Sequence, residues 1–133
     1  GFNGGRAILV ENSKNAMPWR ESVITQSLEQ YKGEPLSGPL KVEITFWMPR
    51  PQSHYRTIGG ELSNEIKPNA PVFCTSTTRG DLSKLLRCTE DGLSSKCGGS
   101  VIQDDNLIVS VCCEKRYVIN GEGCGALINV VKR

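Results

Sequence analysis

The chain is predicted to be an α+β protein of two layers, with two main helices packed on a mixed or antiparallel sheet. Two observations carry this expectation. Two segments place apolar residues at helical spacing, and short β-branched or alternating segments surround them. No internal repeat or linker divides the 133 residues, so one domain is expected over 1–133, long enough to bury a core without staples.

Arg6-Ala7-Ile8-Leu9-Val10 reads as a short strand. Pro18 suits the first turn of a helix, where its missing N–H is not needed. From Trp19 to about Tyr31, Val23, Ile24, Leu28 and Tyr31 recur at helical spacing, and Gly33 stops the helix. Leu40 to Met48 alternates apolar and polar residues, as a strand with one buried face requires. Asp81 to Leu93 is the second helix, with Leu82, Leu85, Leu86, Thr89 and Leu93 on one stripe and Asp81, Lys84, Cys88 and Asp91 on another face, Arg87 at its margin. Gly98-Gly99 breaks the chain, and Leu107 to Val118 contains a β-branched strand. Asn120-Gly121 is a turn signal, and Ala126 to Val131 supplies the last strand.

From Pro49 to about Thr78 no period is sustained. A stretch of about 30 residues without regular structure is unusual in a domain and often functional. It carries Arg50, His54, Tyr55, Arg56 and Lys67, with Arg79 just beyond, and Glu61 and Glu65 are its only acids. One reading is a basic arm along a phosphate backbone, with Tyr55 available to stack on a base. The other is a solvated loop. A net charge of +2, from 16 basic and 14 acidic residues, permits a nucleic-acid ligand without demanding one.

No apolar run approaches the roughly 18 residues of a membrane span. The N-terminus shows no charged start followed by an apolar block, so no secretory segment is expected. Six cysteines (Cys74, Cys88, Cys97, Cys112, Cys113, Cys124) lack zinc-type spacing. Buried or half-buried free thiols in a reducing cytoplasm are expected, against the alternative of a disulfide-bearing secreted module.

The segment Asp81-Leu82-Ser83-Lys84-Leu85-Leu86-Arg87, followed by Asp91 and by Asp104-Asp105, holds the chemistry. Oxygen-only donors suit a hard divalent cation such as Mg²⁺. A metal so held activates water and stabilises charge on a phosphate under attack, which points to a metal-dependent nuclease. Each acid also has a plain structural reading. Thr78-Arg79-Gly80-Asp81 matches a capping box, and Asp104 and Asp105 suit a turn.

The run from Gly80 to Leu93, followed by Asp104-Asp105-Asn106-Leu107-Ile108-Val109, resembles the RusA family of Holliday junction resolvases, most closely its phage-encoded branch. The family pattern is Asp-x-Asp-[Asn/Lys]-Leu-x-[Lys/Arg], an Asp-x-Leu a few residues on, and later Asp-Asp-x-x-[Ile/Val]. Upstream the resemblance includes Gly5 to Val10, Pro18-Trp19-Arg20 and Pro49 to Thr57, and downstream Lys115-Arg116-Tyr117. It implies a RusA-like fold, in which members carry a further strand before the position of Gly1. It also implies a homodimer cutting branched DNA with Mg²⁺, or Mn²⁺, in a bacterium or phage-infected host. By the resemblance Asp81 and Asp105 are catalytic and hold metal with Asp104, Arg87 is the catalytic cation, and Asp91 is supporting. Arg50, His54, Tyr55, Arg56, Lys67, Arg79, Lys84 and Lys115 form the implied DNA surface. Ser83 departs from the pattern: it stands where the family has its second catalytic aspartate. The resemblance therefore implies either an active resolvase or a junction-binding protein with weakened turnover.

Overall fold

The computed structural model describes residues 6–12, 17–76, 80–119 and 123–133. Its strands are β1 (Arg6–Glu11), β2 (Leu40–Met48), β3 (Tyr55–Ile58), β4 (Glu61–Ile66), β5 (Ile108–Tyr117) and β6 (Gly125–Lys132), and its helices are α1 (Trp19–Gln30) and α2 (Leu82–Leu93). Four strands form a mixed sheet in the order β1-β6-β2-β5, while β3 and β4 pair separately. Strand β6 is antiparallel to both of its neighbours, and β2 runs parallel to β5. The parallel pair needs a crossover, which the chain from β3 through α2 supplies.

Alternation along the strands sends one set of side chains into a common core. Ile8, Ile128 and Ile44 form one row across β1, β6 and β2, and Val10, Ala126 and Phe46 form the next; all six are buried. Val23 of α1 and Leu93 of α2 complete this core, with Leu82, Leu85 and Leu86 packed against it. On the other face Leu9 and Leu127, opposite one another on β1 and β6, stand exposed. The result is the expected two-layer α+β arrangement.

Helix α1 differs from expectation in the face it buries. Ser22, Val23 and Ser27 are buried, whereas Leu28 is exposed. The reason lies on the neighbouring strand. Gln30 Oε1 accepts from the Leu9 N–H (2.9 Å) and Gln30 Nε2 donates to the Leu9 carbonyl (2.6 Å). Gln26 does the same to both backbone groups of Glu11, at 2.7 Å each. One helical turn apart, the two amides act as a surrogate strand on the open edge of β1, which would otherwise be free to pair with another chain. Turning these glutamines onto β1 rolls Leu28 out to solvent.

The helices meet at a close crossing. Trp19 Nε1 donates to Thr89 Oγ1 (2.8 Å), and that hydroxyl donates to the Leu85 carbonyl (2.7 Å). Trp19 also sits edge-on to Phe46 of β2, with ring centroids 6.4 Å apart. Gly92 lies at the point of closest approach: a Cβ there would come within 2.7 Å of Val23 Cβ and 3.0 Å of the Arg20 carbonyl oxygen.

Several other expectations are revised. The stretch read as irregular contains a hairpin, β3–β4, closed by Gly59 (φ 61°) and Gly60 (φ 82°). Two successive positive φ values are the requirement of a tight hairpin turn, and Gly-Gly between the strands was its signal. Pro18 precedes the first helical residue rather than lying in the first turn. Asn120-Gly121 lies outside the described residues. Cys74, Cys88, Cys97, Cys112 and Cys113 are free thiols, and of the six cysteines only Cys74 is buried; Cys88, Cys97 and Cys112 are exposed. Among the described residues no helix is long and apolar enough to cross a membrane.

Gly92→Ala forces a methyl into the α1–α2 contact. Overpacking of this kind costs about 1–3 kcal/mol, so the thermal midpoint should fall by several degrees on calorimetry despite alanine's better helix propensity.

Candidate functional site

Helix α2 carries its core stripe on one side and a polar row on another. Ser83, Arg87 and Glu90 follow one another at i, i+4 and i+7, within an arc of about 60°. Glu90 is half-buried, and its carboxyl is raised above the usual range, first by burial and then by the negative charges of Asp105 and Asp91, with Arg87 acting the other way. Glu90, near the end of α2, therefore lies within electrostatic reach of Asp105, the first residue of the 3-10 turn Asp105–Leu107 that leads into β5. Cys113 of β5 borders the same place; burial, Cys112 and Glu90 all push its thiol up, which keeps it protonated.

Glu90 was absent from the expected site. Its signal was the helical row it shares with Ser83 and Arg87, obscured because the acids at Asp81 and Asp91 point to a different helical face.

Asp81 occupies the residue before α2, in extended backbone conformation, and makes no side-chain capping bond. The capping-box interpretation of this residue is therefore not what the structure shows. Its carboxylate lies 3.7 Å from Lys84 Nζ, with both side chains largely exposed. The start of α2 is tied to the sheet by Lys115 of β5, whose Nζ donates to the Gly80 carbonyl (2.9 Å). Asp81 is nine residues before Glu90, roughly 13 Å along the helix axis. Asp104 serves the local structure, accepting from the Asn106 N–H (3.1 Å) and from Lys96 Nζ (2.5 Å). Those bonds hold its carboxyl below the usual range, the lysine contributing most. Asp91 is half-buried beside Glu90.

These donors suit a hard cation in kind but not in number. Among the described residues no three His, Cys, Asp or Glu side chains converge as a metal site. Asp104 is already engaged, Cys113 holds its proton, and Ser83 offers a hydroxyl in place of a charged oxygen. The residues present do not form a complete Mg²⁺ site.

The basic residues separate into two groups. Arg50, His54 and Lys67 gather at the foot of the β3–β4 hairpin. Arg50 Nε donates to the Val118 carbonyl and Nη1 to the Pro71 carbonyl, each at 2.7 Å, and the guanidinium lies 5.3 Å from the centre of the Tyr117 ring. His54 packs edge-on to the same ring at 4.7 Å. Its pKa is lowered, first by burial and then by the charges of Arg50 and Lys67. Arg56, by contrast, lies along the hairpin and pairs with Glu65 at 2.8 Å. Tyr55 is half-buried opposite Ile66. Arg79 lies outside the described residues.

Residues 3–124 match the family described as endodeoxyribonuclease RusA. No curated protein matches the chain.

Two measurements check this geometry. Arg50→Ala removes two charged hydrogen bonds between separate segments and should lower unfolding stability by about 2 kcal/mol in urea titration. Arg56→Ala loses only an exposed pair and should change it by less than about 1 kcal/mol. The lowered pKa of His54 means that the folded state disfavours its proton. Its contribution to stability is complete above the unfolded value of about 6.5 and declines as pH falls from there through the lower folded value. NMR titration of His54 should give a midpoint below that of an unfolded peptide.

Proposed function

Because the chain belongs to the RusA family of endodeoxyribonucleases, we propose that it engages four-way DNA junctions as a homodimer, on a nuclease scaffold whose turnover is weakened at Ser83. The family implies Holliday junction resolution, and its nuclease class generally depends on a divalent metal. One two-fold dimer presents two equivalent sites to the two like strands of a junction. The observation that carries the reading is the row Ser83–Arg87–Glu90 beside Asp105, since it joins the altered family position to a cation and to two mutually repelling carboxyls.

Each residue of the row has a role in this reading. The Arg87 guanidinium takes up charge that builds on the phosphate oxygens under attack. Arg50 and Lys67 at the foot of the hairpin draw in the neighbouring phosphates beside His54, with Arg50 also fixing the loop that holds them. Lys115 keeps the start of α2, and with it Asp81, at a constant place on the sheet. Asp81 and Asp105 keep the carboxylates of two family positions, too few by themselves for a Mg²⁺ or Mn²⁺ site.

The second reading, a junction-binding protein without turnover, is favoured by the same serine. A hydroxyl brings no charge to a hard cation, and the described residues offer no third donor in its place.

Ser83→Asp decides between them. Cleavage of a synthetic four-way junction with Mg²⁺ should rise at least tenfold, equivalent to about 1.4 kcal/mol of barrier. Metal-free junction binding should stay the same or weaken slightly, because the added charge repels phosphate. Efficient cutting by the present sequence, unchanged in the variant, would place position 83 outside the chemistry. Binding by both forms with cutting by neither establishes the binder.

A further inference from the structure

The outer face of the sheet carries a ladder in which a cation stands between two aromatic rings. Trp47 of β2 lies opposite Arg116 of β5, and Phe73 lies opposite Arg116 on its other side. The Arg116 guanidinium sits 5.9 Å from the centre of the Trp47 ring and 5.2 Å from that of Phe73. Strand alternation sets the direction of the ladder. Phe46 and Tyr117, the neighbours of Trp47 and Arg116, are the buried members of each pair, so the ladder points away from them.

Phe73 is held firmly and left open. The Tyr117 N–H donates to the Val72 carbonyl (2.8 Å) and the Cys74 N–H to the Lys115 carbonyl (3.1 Å), which clamps the backbone to β5 on both sides of the ring. Yet Phe73 is 52% exposed. A ring that served packing alone would hide its apolar area; this one gives one side to Arg116 and the rest to solvent.

Charge and position decide what the ring meets. From Pro71 to Cys74 and from Lys115 to Val118 the paired segments carry two cations and no acid. Glu114, just before them, stands 3.7 Å from Arg116 Nε, a half-exposed partner of little strength. Arg50 of the basic foot donates to the Pro71 carbonyl, two residues from Phe73. Lys115, whose carbonyl accepts from Cys74, donates in turn to the Gly80 carbonyl beside Asp81. The ring is thus tied both to the basic foot and to the start of α2. An aromatic ring beside arginine in basic surroundings suits an unpaired base, which stacks on the ring while its phosphates meet the cations.

We infer that Phe73, backed by Arg116 and Trp47, is a stacking platform for a nucleobase that has lost a stacking neighbour at the branch point of a junction. The inference rests on the junction binding of the proposed function and adds contact with a base to the contacts with phosphate. Bases inside a duplex arm are stacked on each other and offer such a ring nothing. The ladder therefore favours junction over duplex.

The test is equilibrium binding of a synthetic four-way junction and of a linear duplex, without metal, by the whole chain, Phe73→Leu and Phe73→Trp. Leucine keeps apolar bulk and loses the π face, whereas tryptophan enlarges that face. Loss of one stacked base should weaken junction binding by Phe73→Leu about tenfold. The dependence of that affinity on salt should stay the same, since no phosphate contact is removed. Duplex affinity and the thermal midpoint should also be unchanged, and Phe73→Trp should bind the junction at least as tightly as the parent. A parent that prefers the junction, with an equal affinity in Phe73→Leu, overturns the inference and leaves the proposed function standing. If that variant also loses self-association in sedimentation velocity, the ladder is a protein contact instead. Equal losses on junction and duplex, or in both variants, make the ring a structural support and overturn the inference too. A parent that does not prefer junction to duplex overturns the junction reading itself, and the inference with it.

Discussion

The crossing of α1 over α2 is the constraint on which the other features depend. Three things meet there: the indole of Trp19, which is bonded to Thr89 and packed on Phe46; the missing side chain of Gly92; and Val23, which fills the space. Glycine inside a helix is unfavourable by roughly 1 kcal/mol against alanine. The contact offsets that by letting the two backbones approach. Once α2 is held at this distance, its apolar stripe closes the core and its polar row is fixed beside Asp105. From its other side, α1 closes the edge of β1 through Gln26 and Gln30. One helix pair thus seals a sheet edge and orients the site.

The polar row also shows why a serine can persist at position 83. Glu90 and Asp105 already repel each other enough, with burial, to raise the Glu90 carboxyl. A further carboxylate on the same row adds like charge that only a bound cation would compensate. In the proposed reading, Ser83 avoids that repulsion and in the same change gives up charge for a cation, a trade between stability and activity of a familiar kind. Arg87, on the row between them, is the one cation that tempers Glu90 from within the helix.

The hairpin divides along its length into chemically different parts. At its foot, Arg50 joins Pro71, Val118 and the Tyr117 ring, so this cation is as much a structural tie as a phosphate contact. Beyond Tyr55 the positive charge is cancelled by Glu65 and then reversed by Glu61. A stretch that looks uniformly basic when its residues are counted is basic only where the chain folds its ends together.

The α+β class, the β2 strand from Leu40 to Met48 and the stripe of α2 were legible in the sequence because each rests on local periodicity, which burial on one face imposes directly. The family pattern around Asp81, Arg87 and Asp105 was legible for the same reason: it is a run of neighbours and a short gap. The buried face of α1 was not, since Gln26 and Gln30 look like solvent residues until β1 is placed beside them. The turn role of Asp104 was legible and its bond from the Asn106 N–H bears it out, but its ion pair with Lys96 was not. The place of Glu90 beside Asp105 likewise joins residues that local spacing cannot relate. Periodicity along one chain reports which side of an element is buried; which charges then face one another depends on how the elements cross, and that only tertiary packing decides.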